Sequence, residues 1–256
     1  MVKKIERFVF DDDKTYKEIR GKYFTASRIS EIMADGRVLM NEEELEAWKK
    51  ENPKSKAKYK EDETVLSDGA ITYILELIQI LEGAPKPEYH NAAMEWGNVT
   101  ERDAAIKYCE MNGYDLLADD VIYTSEGGKV FFVGDGLIGC TPDLILKDRI
   151  AQIKCPESST HLRYKLQLTD DNFKTELPDY YAQMQTEMML TERERGDFFS
   201  FDPRFIKTSL QAHRVQVKAD KDFQNKIYRK AKLCSERRQE YIKMIDALEA
   251  KEMIAA

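Results

Sequence analysis

Gly139-Cys140-Thr141-Pro142-Asp143-Leu144-Ile145-Leu146-Lys147-Asp148-Arg149-Ile150-Ala151-Gln152-Ile153-Lys154-Cys155-Pro156 decides how this chain folds. Apolar residues run from Ile138 to Leu146 and again from Ile150 to Cys155, and Lys147-Asp148-Arg149 between them supplies a turn. That pattern predicts two strands joined by a tight connection. Side chains alternate across a strand, so Gln152 and Lys154 share one face. Asp143 lies near a strand end, within reach of that face. The stretch therefore predicts a carboxylate, an amide and an ammonium gathered at one place on a sheet.

Working outward, helix signals flank this strand region. Asp13 to Arg20 predicts a short opening helix, and Thr25-Ala26-Ser27 offers hydroxyls to cap a second one through Met33. From Asn41 to Glu63 the chain is very polar and carries Pro53; it predicts a short helix, Glu42 to Lys50, followed by a mobile segment of mixed charge. Residues 35–66 as a whole read as a polar helix-and-loop elaboration. Ile71, Ile74, Leu75, Leu77, Ile78 and Leu81 recur at helical spacing, stopped by Gly83 and Pro85. A longer helix runs from Ala92 to Met111 and closes at Asn112-Gly113. Gly97 inside it costs ~1 kcal/mol of helix stability relative to alanine, which points to a close approach by a ligand or a strand.

Further strands are expected at Val121 to Tyr123, Val130 to Val133, Asp197 to Phe201 and Gln211 to Val217, with Gly127-Gly128 as one of the turns. Pro178 opens a helix from Asp179 to Leu190, and a long helix over residues 220–250 ends the chain. Helices before and after a central mixed β-sheet predict an α/β (α+β) fold, a single domain over residues 1–256 with no dividing linker.

A chain of 256 residues can bury one substantial core. A third of its residues are charged, and no apolar run reaches the ~18 residues of a membrane span. The N-terminus leads into the acidic cluster Asp11-Asp12-Asp13 rather than an apolar stretch, so no secretory signal is expected and the expected location is cytoplasmic. Cys109, Cys140, Cys155 and Cys234 lie far apart, which favours reduced thiols over a zinc or iron–sulfur site. The net charge is −7, yet Lys49 to Lys60 and Arg229 to Arg238 are locally basic, so nucleic-acid binding is not excluded. Each basic run also fits a solvated helix face.

Asp143, Gln152 and Lys154 suit metal-assisted phosphodiester hydrolysis. Such chemistry needs clustered oxygen ligands and a cation to balance charge at the phosphate. Asp143 offers an anionic oxygen, and the Ile153 carbonyl offers another donor on the adjoining strand. Mg²⁺ accepts all-oxygen coordination and keeps waters that can serve as nucleophile. Lys154 would orient that water and offset the developing charge. Taken alone, this spacing is a weak motif that a surface hairpin would also satisfy.

A longer ordered series adds weight. It runs through Arg20-Gly21-Lys22-Tyr23-Phe24-Thr25-Ala26-Ser27, Trp96-Gly97-Asn98-Val99-Thr100-Glu101, Thr141-Pro142-Asp143, Gln152-Ile153-Lys154-Cys155-Pro156, Tyr181-Ala182-Gln183-Met184-Gln185 and Phe201-Asp202-Pro203-Arg204. The series resembles the phage lambda exonuclease family, the YqaJ-type viral recombinase nucleases of the restriction-endonuclease-like fold. The resemblance covers about residues 13 to 248 and is looser from Asp35 to Ala84.

By that resemblance, Asp143 is the central metal ligand, bridging two Mg²⁺ ions with Mn²⁺ as a substitute. Gln152 stands where the family has a metal-binding glutamate, with the Ile153 carbonyl beside it. Lys154 matches the catalytic lysine. Glu101 matches an acid that positions metal and water, and Gln183 a glutamine near the reacting phosphate. Arg20, Ser27 and Thr141 match a pocket for the terminal 5′-phosphate. Duller roles exist for Arg20 as a surface ion pair, Ser27 as a helix cap and Glu101 as a solvated acid. The resemblance also implies linear double-stranded DNA ends as substrate, degraded 5′ to 3′ in phage-type recombination. A homotrimeric ring and a single-strand annealing protein as partner come with it.

Gln152 departs from the family pattern. Glutamine keeps the shape of glutamate and loses its charge, and its NH2 would repel a cation if turned inward. Hydrolysis is therefore expected to be weakened or lost, either through a deliberate change or through drift with another acid compensating. Glu157 is the nearest such acid in sequence, although it lies beyond Pro156. The alternative is a DNA-end binding protein of the same fold that does not cut. A third reading, a repair nuclease of this fold, is disfavoured by the scattered cysteines and by the match from Arg20 to Ser27.

Overall fold

A computed structural model describes residues 2–84, 91–118, 121–125 and 129–255. Pro85 and the Gly127-Gly128 turn lie outside them. In chain order the elements are β1 (Ile5–Phe10), α1 (Asp13–Arg20), β2 (Phe24–Thr25), a 3₁₀ segment (Ala26–Ile32), β3 (Asp35–Leu39), α2 (Glu42–Glu51), β4 (Tyr59–Leu66) and α3 (Asp68–Leu81). Then come α4 (Ala92–Asn112), β5 (Ile122–Tyr123), β6 (Lys129–Gly134), β7 (Ile138–Cys140), β8 (Leu144–Ile145) and β9 (Ile150–Lys154). The chain closes with α5 (Ser158–Gln167), α6 (Phe173–Glu176), α7 (Pro178–Thr191), β10 (Arg195–Phe201), β11 (Ala212–Lys218) and α8 (Lys221–Ala255). The fold is the expected mixture of helices and mixed sheet.

The single strand expected from Ile138 to Leu146 is divided. β7 belongs to a four-stranded sheet of order β1-β6-β7-β2, whereas β8 belongs to a five-stranded sheet of order β11-β10-β9-β8-β5. Pro142 has no N–H to give a ladder. Thr124 takes up the interrupted backbone instead: its hydroxyl donates to the Pro142 carbonyl at 2.7 Å and its amide to the Asp143 carbonyl at 3.2 Å. The break thus falls at Asp143, between two sheets. Gly139, just before it, packs so tightly that a Cβ would come within 2.1 Å of the Phe131 ring.

β9 pairs antiparallel with β8 and parallel with β10. On one of its faces Ala151 and Ile153 pack with Ala104, Ala105 and Tyr108 of α4 and with Phe199 of β10. On the other, Ile150 joins Met184 and Met188 of α7. Alternation then turns Gln152 and Lys154 toward α7. That helix is buried from Tyr181 to Met188 and also packs on the 3₁₀ segment, β6, β7 and α8. It is the central element against which both sheets rest.

The remaining differences from expectation have local causes. The segment expected to be mobile after α2 includes β4, which pairs with β3 through Arg37↔Glu61 and Val38↔Lys60. β1 and α5 carry mixed polar and apolar residues without a clear period and were not anticipated. Ala26–Ile32 is 3₁₀ rather than α, and Thr25 makes no side-chain cap bond. A Cβ at Gly97 would meet nothing within 4 Å, so no strand approaches it. Among the described residues no helix is long and apolar enough to cross a membrane.

Candidate functional site

A cavity of about 410 Å³ opens where the two sheets part. Asp143, Gln152 and Lys154 line it from β9 and the break before β8; Glu101 comes from α4, and Gln183 and Glu187 from α7. Arg20 from α1, Ser27 from the 3₁₀ segment and Thr141 from the break line the same cavity. Eight of the nine residues expected from sequence therefore meet in one pocket. Ile153, expected to contribute only its carbonyl, adjoins the site through its backbone: its N–H donates to Asp143 Oδ2 at 2.6 Å, and its side chain is buried against α4.

Asp143 is the electrostatic centre. Its Oδ2 accepts the Ile153 amide and also the Gln152 Nε2, at 2.5 Å. Burial pushes its carboxyl up to about 7, helped by the nearby Glu101 charge, while Lys154 and the Ile153 N–H pull the other way. Glu101 is itself held in place by donation from the Ser125 hydroxyl at 2.7 Å and the Tyr123 hydroxyl at 3.2 Å. The Lys154 ammonium lies 5.3 Å from the Tyr180 ring centroid.

Gln183 continues the polar network into the interior. Its Nε2 donates to Gln152 Oε1 at 3.0 Å and to Glu187 Oε1 at 2.8 Å. Glu187 is fully buried, and both burial and the Asp143 charge raise its carboxyl above the ordinary range. Glu157, in contrast, is exposed ahead of α5 and does not line the cavity.

The Arg20 side forms a second polar set. Arg20 Nη2 donates to Ser27 Oγ at 2.9 Å, and the Tyr16 and Thr141 hydroxyls are 3.1 Å apart. Tyr16 is four residues before Arg20, so both project from one side of α1. Lys129 also lines the cavity, paired with Asp13 at 2.5 Å. A guanidinium with several hydroxyls is the chemistry that holds a phosphate.

The donor set fits a hard cation. Three carboxylates (Glu101, Asp143, Glu187) and three side-chain amides (Asn98, Gln152, Gln183) line the cavity, and Glu187 Oε2 is buried without a hydrogen-bond partner. Among the described residues no three His, Cys, Asp or Glu side chains close into a ready-made cage. The four cysteines are buried free thiols, and burial pushes Cys155 up to about 12, so thiolate chemistry is not available at neutral pH.

Sequence reasoning missed Glu187, Tyr16, Lys129 and the Ser125 support of Glu101. For two of them a signal existed: Glu187 follows Gln183, and Tyr16 precedes Arg20, by one helical turn. Ser125 and Lys129 reach the cavity only through tertiary contacts.

Residues 15–194 match the profile of the YqaJ-like viral recombinase domain. No curated protein gives a match. Among solved structures, the alkaline exonuclease LHK-Exo from Laribacter hongkongensis superposes with TM-score 0.62 at 23% identity, over 93% of this chain and 98% of that one. LHK-Exo in complex with dAMP gives TM-score 0.63 at the same 23% identity and coverage. A phage-related exonuclease from Haemophilus somnus 129PT gives TM-score 0.63 at 15% identity, covering 87% of this chain and 96% of that one. At these identities the likeness is one of fold.

Proposed function

Because this chain belongs to the YqaJ-like viral recombinase family, we propose that it is a Mg²⁺-dependent exonuclease that degrades one strand of linear duplex DNA from its 5′ end. The observation that supports this most is the sharing of one cavity by Asp143, Gln152 and Lys154 with Arg20, Ser27 and Thr141. A hydrolytic set and a phosphate-holding set in one pocket suit a nuclease that reads a chain end. The structural neighbours named above are exonucleases, and their shared fold agrees.

Asp143 and Glu101 would hold Mg²⁺, which when bound would polarise the phosphate and lower the pKa of its water. Mn²⁺ would fill the same role. Lys154 then balances the charge that builds on the phosphorus oxygens. Gln183 orients Gln152 by donating to its Oε1, leaving the Gln152 amide fixed relative to Asp143. Arg20, Ser27, Thr141 and Tyr16 grip the terminal 5′-phosphate, which places the next phosphodiester near Asp143. The family reading carries two further proposals, a homotrimeric ring around the duplex and a single-strand annealing protein that takes the exposed 3′ strand.

One observation favours a second reading. The Gln152 amide nitrogen points at Asp143, where it takes the place of a cation. A protein in that state would bind 5′-phosphorylated ends without cutting.

Digestion of linear 5′-phosphorylated duplex DNA in Mg²⁺ separates the two. The exonuclease releases nucleotides; Asp143→Asn and Lys154→Ala each slow release by ~10²–10³-fold. Arg20→Gln removes most of the preference for phosphorylated over hydroxyl ends. End binding without release by the unaltered chain would establish the second reading instead.

A further inference from the structure

We propose that Glu187 supplies the metal-ligating carboxylate that position 152 lacks, reaching the site from α7 instead of from β9. This inference rests on the nuclease reading of the pocket and goes beyond it by relocating one of the ligands.

Four observations carry it. Glu187 lines the same cavity as Asp143 and Lys154. It has no exposed surface, yet its Oε2 has no hydrogen-bond partner. It lies beside Gln152 through a single shared donor, since Gln183 Nε2 bonds Gln152 Oε1 at 3.0 Å and Glu187 Oε1 at 2.8 Å. Finally, Gln152 turns its NH2 toward Asp143, presenting a donor where a ligand oxygen would be wanted.

A buried carboxylate oxygen with no donor is costly. A divalent cation in the cavity satisfies the orphaned oxygen and the Asp143 carboxylate together. The acid and the amide have in effect exchanged positions across Gln183, and the number of negative charges around the ion is kept. Gln152 then serves as a positioning residue that holds Asp143. On this basis the glutamine at 152 does not by itself abolish cleavage, contrary to what the sequence alone suggests.

The test is titration of the full chain with Mn²⁺ alone, followed calorimetrically and by the loss of free-ion electron spin resonance, alongside digestion assays. Glu187→Gln is expected to weaken Mn²⁺ binding by ~10–100-fold and to slow nucleotide release, while the metal-free protein melts at an equal or higher temperature. The double variant Gln152→Glu with Glu187→Gln is expected to recover Mn²⁺ affinity to within a few-fold. Undiminished Mn²⁺ binding by Glu187→Gln, where Asp143→Asn abolishes it, overturns the role of Glu187 and leaves the nuclease reading standing. Undiminished binding by Asp143→Asn overturns both. Should Glu187→Gln fail to fold, the double variant carries the test: failure to bind Mn²⁺ while melting cooperatively would also overturn the proposal.

Discussion

At the residue scale, the site gathers carboxyl groups whose charged forms burial disfavours. Asp143 has its carboxyl pushed up to about 7 by burial. In an unfolded chain the same group titrates near ~3.9. Folding therefore takes up a proton between these values, and stability present below the unfolded pKa is lost as pH rises through the folded one. Asp143→Asn should accordingly stabilise the metal-free protein at pH 8 and leave it little changed at pH 4. Melting temperatures followed by circular dichroism check this, with ~2–4 °C expected for each kcal/mol relieved. An unchanged melting temperature at pH 8 would show that Asp143 is not strained by its surroundings. Asp143, Gln152 and Lys154 were legible in sequence because strand alternation is a short-range rule. Glu187 was not, because nothing in the alternation of β9 reports what α7 brings against it.

At the element scale, β9 is set by neighbours on both faces and both edges, and its support runs outward through buried ion pairs. Asp197 on β10 is fully buried and accepts from the Tyr108 hydroxyl at 2.6 Å and from Arg149 at 3.2 Å. Arg204 bonds the buried Asp202, reaches the Pro156 carbonyl at 3.4 Å and lies 4.0 Å over the Trp96 ring, tying the end of β9 to α4. α8 is fixed at its start by Asp220, which caps the Phe223 N–H at 3.0 Å and accepts from Lys174 and the Tyr181 hydroxyl, both at 2.9 Å. Burial pushes this carboxyl up, and those three donors more than offset it, bringing it to about 2. Its contribution is present above the unfolded carboxylate range and is lost as pH falls toward 2. Asp220→Ala should cost ~1–2 kcal/mol near pH 7, and less at pH 2, in urea unfolding. Equal losses at both pH values would mean that charge plays no part.

Helix α3 was legible from its apolar spacing, α7 from Pro178 at its start, and α4 from its stop at Gly113, whose φ of +74° closes it. The division of the 138–146 run was not, since its apolar residues continue across Thr141-Pro142-Asp143 while their ladders change sheets. Tertiary pairing decided there, and the only local hint was Pro142.

At the scale of the whole molecule, net charge −7 would be a poor surface for gripping DNA indiscriminately. The basic side chains that matter are local: Arg20, Lys129 and Lys154 in the cavity. The proposed ring would hold its substrate by enclosure rather than by surface charge, with copies of the chain around the duplex. Light scattering should therefore return three times the 29.8 kDa chain mass, and a monomer or dimer would refute the ring. Multiple copies also predict that digestion, once begun, persists in moderate salt better than initiation does.

The parting of the sheets at Thr141-Pro142-Asp143 has a consequence for what is released. On the proposed reading, the residues that would grip the terminal phosphate come from α1, the 3₁₀ segment and Thr141 of the break, and those that would cut come from α4, Asp143 of the break and β9. Only the three residues of the break separate Cys140 at the end of β7 from Leu144 at the start of β8. If the proposed function holds, their span would act as a molecular caliper, setting fragment length by how far apart the two jaws stand, whatever bases pass between them.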